Sequence, residues 1–226
     1  MSSTVAAKHV VIFGRPGSGK SSLAERLGAD FGYSLVRTGE LLREAVRHGD
    51  DLGKRVEGLL RSGNLAPDEL IFELLDEKLN TPHVEKLLFD GFPRTMGQVP
   101  QLKELENRQH FAIDTYLDVT VGHDAAVARM TGRRICPSCG ATYHLLAKPP
   151  VTPGICDLDG TKLEQRRDDS PAVIEQRQRV YEQHAGPILA HYQAIYPTLF
   201  KIVDGEQSVD DVYLETKRVL ALSSSW

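Results

Sequence analysis

Short apolar runs alternate with longer amphipathic stretches along this chain. Compact runs fall at 10–13, 34–36, 87–89, 116–119 and 200–203. The first of them, at 10–13, has the unbroken apolar character of a strand buried on both faces of a parallel sheet. Between the runs, apolar positions recur at helical spacing over about 40–48, 51–62, 67–79, 98–108, 122–131, 171–195 and 208–220. After the first run, Leu23, Ala24, Leu27 and Phe31 offer one side of a further helix. Strands alternating with helices predict an α/β fold around a parallel sheet. Ser170-Pro171 reads as a helix start, with the serine hydroxyl able to cap free amides and proline accepted at the first helical position. Gly186-Pro187 is expected to kink or divide the helix that follows.

Two stretches break the rhythm. Residues 133–167 hold the cysteines with several prolines and glycines, and short strands are expected at 133–135 and 141–145. A small β-rich insert fits better there than another strand–helix unit. The polar excursion over 39–65 is expected to form a second, helical and mobile subdomain. The core is then 8–38, 66–132 and 168–222, within one domain over 1–226.

Composition narrows the function classes. The chain has 226 residues, 41% apolar and 26% charged, which is ordinary for one globular core. Its formal charge of -4, from 27 basic and 31 acidic residues, gives no basic stripe for nucleic acid. A local group of arginines could still dominate a phosphate pocket. No apolar stretch approaches the roughly 20 residues that span a bilayer. Met1 to His9 lacks the apolar stretch of a secretory signal and reads as a loose tail, so a cytoplasmic protein that binds neither membrane nor nucleic acid is expected.

The first apolar run passes directly into Gly14-Arg15-Pro16-Gly17-Ser18-Gly19-Lys20-Ser21-Ser22, which satisfies G-x-x-x-x-G-K-[ST]. Glycines let backbone amides turn inward to phosphate oxygens, and the helix that follows adds its positive end. Lys20 would reach the β- and γ-phosphates, Ser21 would help hold Mg²⁺, and Ser22 could bond phosphate or a local backbone group. Asp90, just after the run at 87–89, would sit at a strand's C-terminal end, in reach of Mg²⁺ through water. This motif alone does not separate kinase, GTPase and ATPase.

Further segments narrow the choice. They are Arg37-Thr38-Gly39-Glu40-Leu41-Leu42-Arg43, Asp90-Gly91-Phe92-Pro93-Arg94-Thr95 with Gln98, Gly132-Arg133-Arg134, Tyr143-His144, Arg166-Arg167-Asp168-Asp169 and Arg177. With the glycine loop they make the chain resemble the adenylate kinase family, in its long-lid form, over nearly its whole length. The resemblance implies a P-loop NTPase-like sheet with flanking helices, an AMP-binding subdomain over 39–65 and a lid over 133–167. It implies ATP contacts at Gly14, Pro16, Gly17, Ser18, Gly19, Lys20, Ser21, Ser22, Arg129 and Arg133. For AMP it implies Thr38, Arg43, Leu65, Gly91, Arg94, Gln98, Arg166 and Arg177, with Gln98 on the base and Arg94 on the phosphate. Lys20, Asp90, Arg94, Arg129, Arg133, Arg166 and Arg177 would then form the catalytic charge field of a monomer. MgATP and AMP would become two ADP by direct in-line transfer. Kinases of CMP, UMP or deoxynucleotides, and a GTPase-like module, are the alternatives. Ser21-Ser22, Arg37, Glu40 and Asn64 depart from the family's common pattern. Arg129 and Arg133, four apart, would share a helical face if the helix continues through Gly132. Asp168 and Asp169 are expected to pair with lid arginines, while Arg134 and Arg167 read as exposed.

Three cysteines are confined to the insert. Cys136-x₂-Cys139 and Cys156-x₂-Asp159 form two equally spaced pairs, a ligand set suited to tetrahedral Zn²⁺. A filled four-ligand shell away from the phosphate loop reads as structural, and a thiolate-rich site could also take iron. Asp157 breaks the paired spacing, and His144 reads as a hydrogen-bonding residue.

Overall fold

The structure is a computed structural model that describes residues 6–49, 51–80, 85–166 and 168–222. Its elements in chain order are β1 (His9–Phe13), α1 (Lys20–Phe31), β2 (Ser34–Arg37), α2 (Thr38–His48), α3 (Asp51–Ser62), α4 (Asp68–Leu79), β3 (Leu87–Asp90) and α5 (Gln98–Gln109). They continue with β4 (Thr115–Thr120), α6 (His123–Thr131), β5 (Arg133–Ile135), β6 (Thr142–His144), α7 (Pro171–Ile195), β7 (Phe200–Asp204) and α8 (Val209–Val219). Five strands form a parallel sheet in the order β2-β3-β1-β4-β7.

The central strands β1 and β3 are almost wholly buried because both faces of the sheet are covered there. Val11, Phe13, Phe89 and Tyr116 point into one core with Leu75 of α4, Leu102 and Leu105 of α5, and Ile188 and Tyr192 of α7. Val10, Ile12, Leu88, Leu117 and Val119 point the other way, against Leu23, Ala24 and Leu27 of α1 and Val212 and Tyr213 of α8. The parallel register places Ile12 beside Asp90 and Phe13 beside Asp118. Carboxylates from both neighbours of β1 thereby meet the mouth of the glycine loop. No described helix is long and apolar enough to cross a membrane.

Four local expectations need correction. The helix begun by Pro171 is not divided at Pro187; α7 runs 25 residues through it. Buried Ile174, Gln178 and Val180 hold the part before Pro187, and Ile188 and Tyr192 hold the part after it. Gly186 also presents no Cβ to the proline ring. Ser170 has the extended backbone of a cap, but its hydroxyl bonds no helix amide. Its carbonyl takes the Ile174 amide at 2.9 Å, and Pro171 adds no donor to satisfy. Arg129 and Arg133 do not share a helix, since α6 stops at Thr131 and Arg133 lies in β5. The Leu145 amide captures the Gly132 carbonyl at 3.0 Å, which starts the β5–β6 hairpin there. Finally, the tail is anchored from Ala7, which is buried and donates its amide to Leu220 at 3.1 Å. Residues 1–5 and Arg167 lie outside the described residues.

Candidate functional site

The phosphate loop spans the gap between β1 and α1. Gly17 has φ +92, and a Cβ there would run into the Ala126 carbonyl of α6, so the loop's tight path requires glycine. Gly19 caps α1 with no side chain over its end, and the first turn carries no acidic residue. The helix amides and their partial positive charge are left open to an anion. Ser18 is buried and its hydroxyl has no protein partner. The Pro16 carbonyl accepts from Gln178 of α7 at 2.9 Å, and Gln178 in turn accepts from Arg15 at 3.3 Å. Ser22 is exposed.

Lys20 donates to the Arg15 carbonyl at 3.3 Å. Burial pushes its ammonium down to about 8, against the pull of Asp90 and with help from Arg94, Arg177 and Arg133. Ser21 donates to Asp90 at 2.5 Å. Asp118, buried on β4 with one oxygen unpartnered, is raised to about 6 by desolvation, which Lys20 opposes.

The second wall comes from α2, α4 and the segment after β3. Thr38 opens α2 and donates to the Gly91 carbonyl at 2.8 Å, as does Arg94 Nε at 2.8 Å. Gln98 is 2% exposed; its Oε1 accepts from the Arg94 amide at 2.7 Å and its Nε2 donates to Asp68 at 2.8 Å. Burial lowers Arg94, with Asp90 opposing. Arg43 is pushed down to about 9, first by burial and then by Arg166, with Asp168 opposing. A single cavity is lined by Gly14, Pro16 and Lys20 on one side and by Thr38, Arg43, Leu65, Gly91, Arg94 and Gln98 on the other. Asp168 and Arg177 line it as well.

The remaining arginines are already engaged. Arg133 grips Asp169 with two bonds of 2.7 and 2.5 Å, and Asp169 is fully buried. Arg177 reaches Asp168 and Asp169 at 3.3 Å each, and Arg166 reaches Asp168 at 3.3 Å. Burial lowers Arg177 to about 10 and lowers Arg166 too. Arg129 of α6 donates to the carbonyls of Ser18 and Gly205, at 3.4 and 2.8 Å. Arg134 donates to the carbonyls of Thr131 and Arg133.

In the insert, β5 and β6 pair antiparallel and Ile135 bridges to Glu164. Ligand atoms of Cys136, Cys139, Cys156 and Asp159 all lie within 4.8 Å of one another. Two matching turns build this cluster, with Gly140 donating to the Cys136 carbonyl and Gly160 to the Cys156 carbonyl, both at 3.0 Å. The donor set fits a thiophilic metal ion. Among the described residues, the insert's own apolar cluster is Cys136, Tyr143, Cys156 and Leu163, with Ala141 packed against it. That is too little to order a unit of this size unaided.

Sequence reasoning missed Asp118, Gln178 and Asp68. Asp118 had a signal, a carboxylate inside the apolar run at 116–119. Gln178 had a weaker one, a polar residue one turn after Ile174 on the buried side of α7. Asp68 had none, since its role depends on a partner 30 residues away.

A family model described as "Adenylate kinase" matches residues 12–196. The chain is 37% identical over 213 residues to "Adenylate kinase" of Bacillus subtilis, covering 94% of this chain and 97% of the relative. It is 36% identical over 213 residues to the protein of that name from Archaeoglobus fulgidus, with the same coverage of 94% and 97%. For the Moorella thermoacetica protein, also so named, the figures are 37% over 218 residues, 96% and 99%.

Proposed function

Since the chain belongs to the adenylate kinase family, we propose that its cavity is the place where MgATP and AMP are brought together. The enzyme interconverts MgATP plus AMP with two ADP. The observation that carries the assignment of residues is the single cavity shared by the phosphate loop and the α2–α5 wall. Of the phosphate loop, Gly14, Pro16 and Lys20 line it; with Gly17, Ser18, Gly19, Ser21 and Ser22 they hold the ATP phosphates, and Arg129 and Arg133 cover them. Thr38, Leu65, Gly91 and Gln98 receive the AMP nucleoside, while Arg43, Arg94, Arg166 and Arg177 hold its phosphate.

An AMP phosphate oxygen attacks the γ-phosphorus in line as the bond to the ADP leaving oxygen breaks. That oxygen is already ionised at neutral pH, so no protein base is required. The protein positions both phosphates, neutralises charge and excludes water. Ser21 and Asp90 supply a hydroxyl and a carboxylate side by side, an all-oxygen set that suits Mg²⁺. A magnesium ion held there would supply positive charge against the phosphates.

The reading extends to a long-lid form in which zinc on Cys136, Cys139, Cys156 and Asp159 stabilises residues 133–167, and in which this lid and residues 39–65 close on substrates. A monomer in the cytoplasm is part of the same proposal. Product analysis with MgATP and a panel of monophosphates tests it. Equal consumption of ATP and AMP with twice that amount of ADP is expected. Strong turnover of CMP or UMP without AMP would overturn the acceptor assignment.

A further inference from the structure

Asp68 stands in the first turn of α4 and reaches the segment that carries Arg94 and Gln98. Its Oδ1 accepts from Gln98 Nε2 at 2.8 Å and its Oδ2 from the Thr95 hydroxyl at 2.8 Å. The Thr95 oxygen accepts in turn from the Gln98 amide at 3.2 Å. Gly97 makes the approach possible, because a Cβ there would collide with Asp68 Oδ2. On the other side, Gln98 Oε1 accepts from the Arg94 amide at 2.7 Å. Both ends of this buried amide therefore have partners whose polarity cannot be exchanged. A carboxylate only accepts, and a backbone N–H only donates.

We infer that Asp68 is a positioning residue that fixes the Gln98 amide in the orientation that accepts adenine and rejects 6-oxopurines. The inference rests on the assignment of Gln98 to the acceptor base. With its two protein bonds made, the amide keeps one oxygen lone pair and one N–H, side by side. Adenine presents the complement, an exocyclic amine that donates and N1 that accepts. Hypoxanthine and guanine present the reverse, O6 accepting and N1–H donating. Meeting them would need the amide turned by half a rotation. That would set Oε1 against the Asp68 carboxylate and an N–H against the Arg94 N–H. Leaving or opposing buried polar groups in this way is what makes hydrogen-bonding sites selective.

The test compares kcat/KM for AMP and for IMP, which differs from AMP at this edge alone. Asp68→Asn keeps the shape but offers both a donor and an acceptor, so it removes one of the two oppositions that hold the amide and leaves only the Arg94 N–H against the turned form. The IMP-to-AMP ratio is expected to rise about tenfold, chiefly through KM, with little change in thermal midpoint. Thr95→Val leaves the carboxylate in place but removes one of its two pins, and should shift the ratio the same way by less. Gln98→Leu separates the two levels. If it leaves KM for AMP unchanged, Gln98 does not read the base and the underlying assignment fails. If it raises KM for AMP while Asp68→Asn and Thr95→Val lower both substrates in parallel, only the orientation lock is overturned.

Discussion

The Ser21 hydroxyl donates to the Asp90 carboxylate at 2.5 Å, tying the first turn of α1 to the end of β3 across 69 residues of sequence. Both oxygens are thereby fixed where the phosphate loop opens.

Asp90→Asn preserves this hydrogen bond's geometry but removes the charge. We expect turnover to fall by on the order of a hundredfold and the half-saturating magnesium concentration to rise. Ser21→Ala should show the same trend with a loss of roughly tenfold. Initial rates across a magnesium titration check both, and an unchanged magnesium dependence would remove the pair from its assigned role.

Lys20 gives a pH signature. Its folded value of about 8 lies below the usual 10.5, so between these pH values the folded protein binds fewer protons than the unfolded chain. The cost of burying the ammonium is therefore full below pH 8 and is relieved as pH rises toward 10.5. Phosphates entering the loop pull the value back up. At pH 8 the free lysine is about half protonated, so ATP binding is expected to take up about half a proton, and affinity to weaken as pH rises further. Calorimetry in two buffers of different ionisation heat measures this uptake. Lys20→Met should abolish it, raise the thermal midpoint of the free protein at pH 7 and cut kcat/KM by roughly a thousandfold.

Asp118 acts with the opposite chemistry. Its value is raised from 3.8 to about 6, so the folded state binds the extra proton in this window and stability declines as pH climbs through it. Asp118→Asn should flatten that decline and raise the midpoint at pH 7 by roughly 2–4 °C. Thermal unfolding from pH 4 to pH 8 tests it. Equal slopes in the two proteins would assign the titration elsewhere.

On the proposed reading, residues 133–167 should depend on a bound metal for their order. Chelation, or Cys139→Ser, is expected to lower the thermal midpoint and loosen residues 133–167, while Asp159→Cys retains one zinc per chain. Metal analysis, unfolding and low-temperature rates on the same preparations decide the role. Zinc-free protein of unchanged stability would dismiss a structural ion. Loss of chemistry with folding and binding intact would make the metal catalytic.

Most of the architecture could be read from the sequence because each element carries its own signal. The run ending at Phe13 has an apolar side chain for each face of a doubly covered sheet, and the Gly14–Ser21 spacing allows few other structures. What escaped the reading depends on contacts between distant segments. Pro187 is a local reason to divide α7, yet Ile188 and Tyr192 are held by the core. The spacing of Arg129 and Arg133 suggested one face, but Leu145 takes the Gly132 carbonyl and ends the helix. Asp68 and Gln178 acquire their partners only when α4 and α7 are docked. The cysteine pairs could be read because their ligand geometry is set by two short local turns.

Arg133, Arg166 and Arg177 rest on Asp168 and Asp169, and this arrangement bears on which anions the protein can ignore. A lone chloride or sulfate reaching these three guanidinium groups meets charge that two carboxylates already answer for the most part, so it gains little by staying there. On the proposed assignment a nucleotide brings a chain of phosphates that would engage the loop amides and Lys20 as well. It can displace the internal carboxylates because it brings more contacts than they make. On that assignment the two aspartates would set a threshold that a small anion falls below and a polyphosphate exceeds.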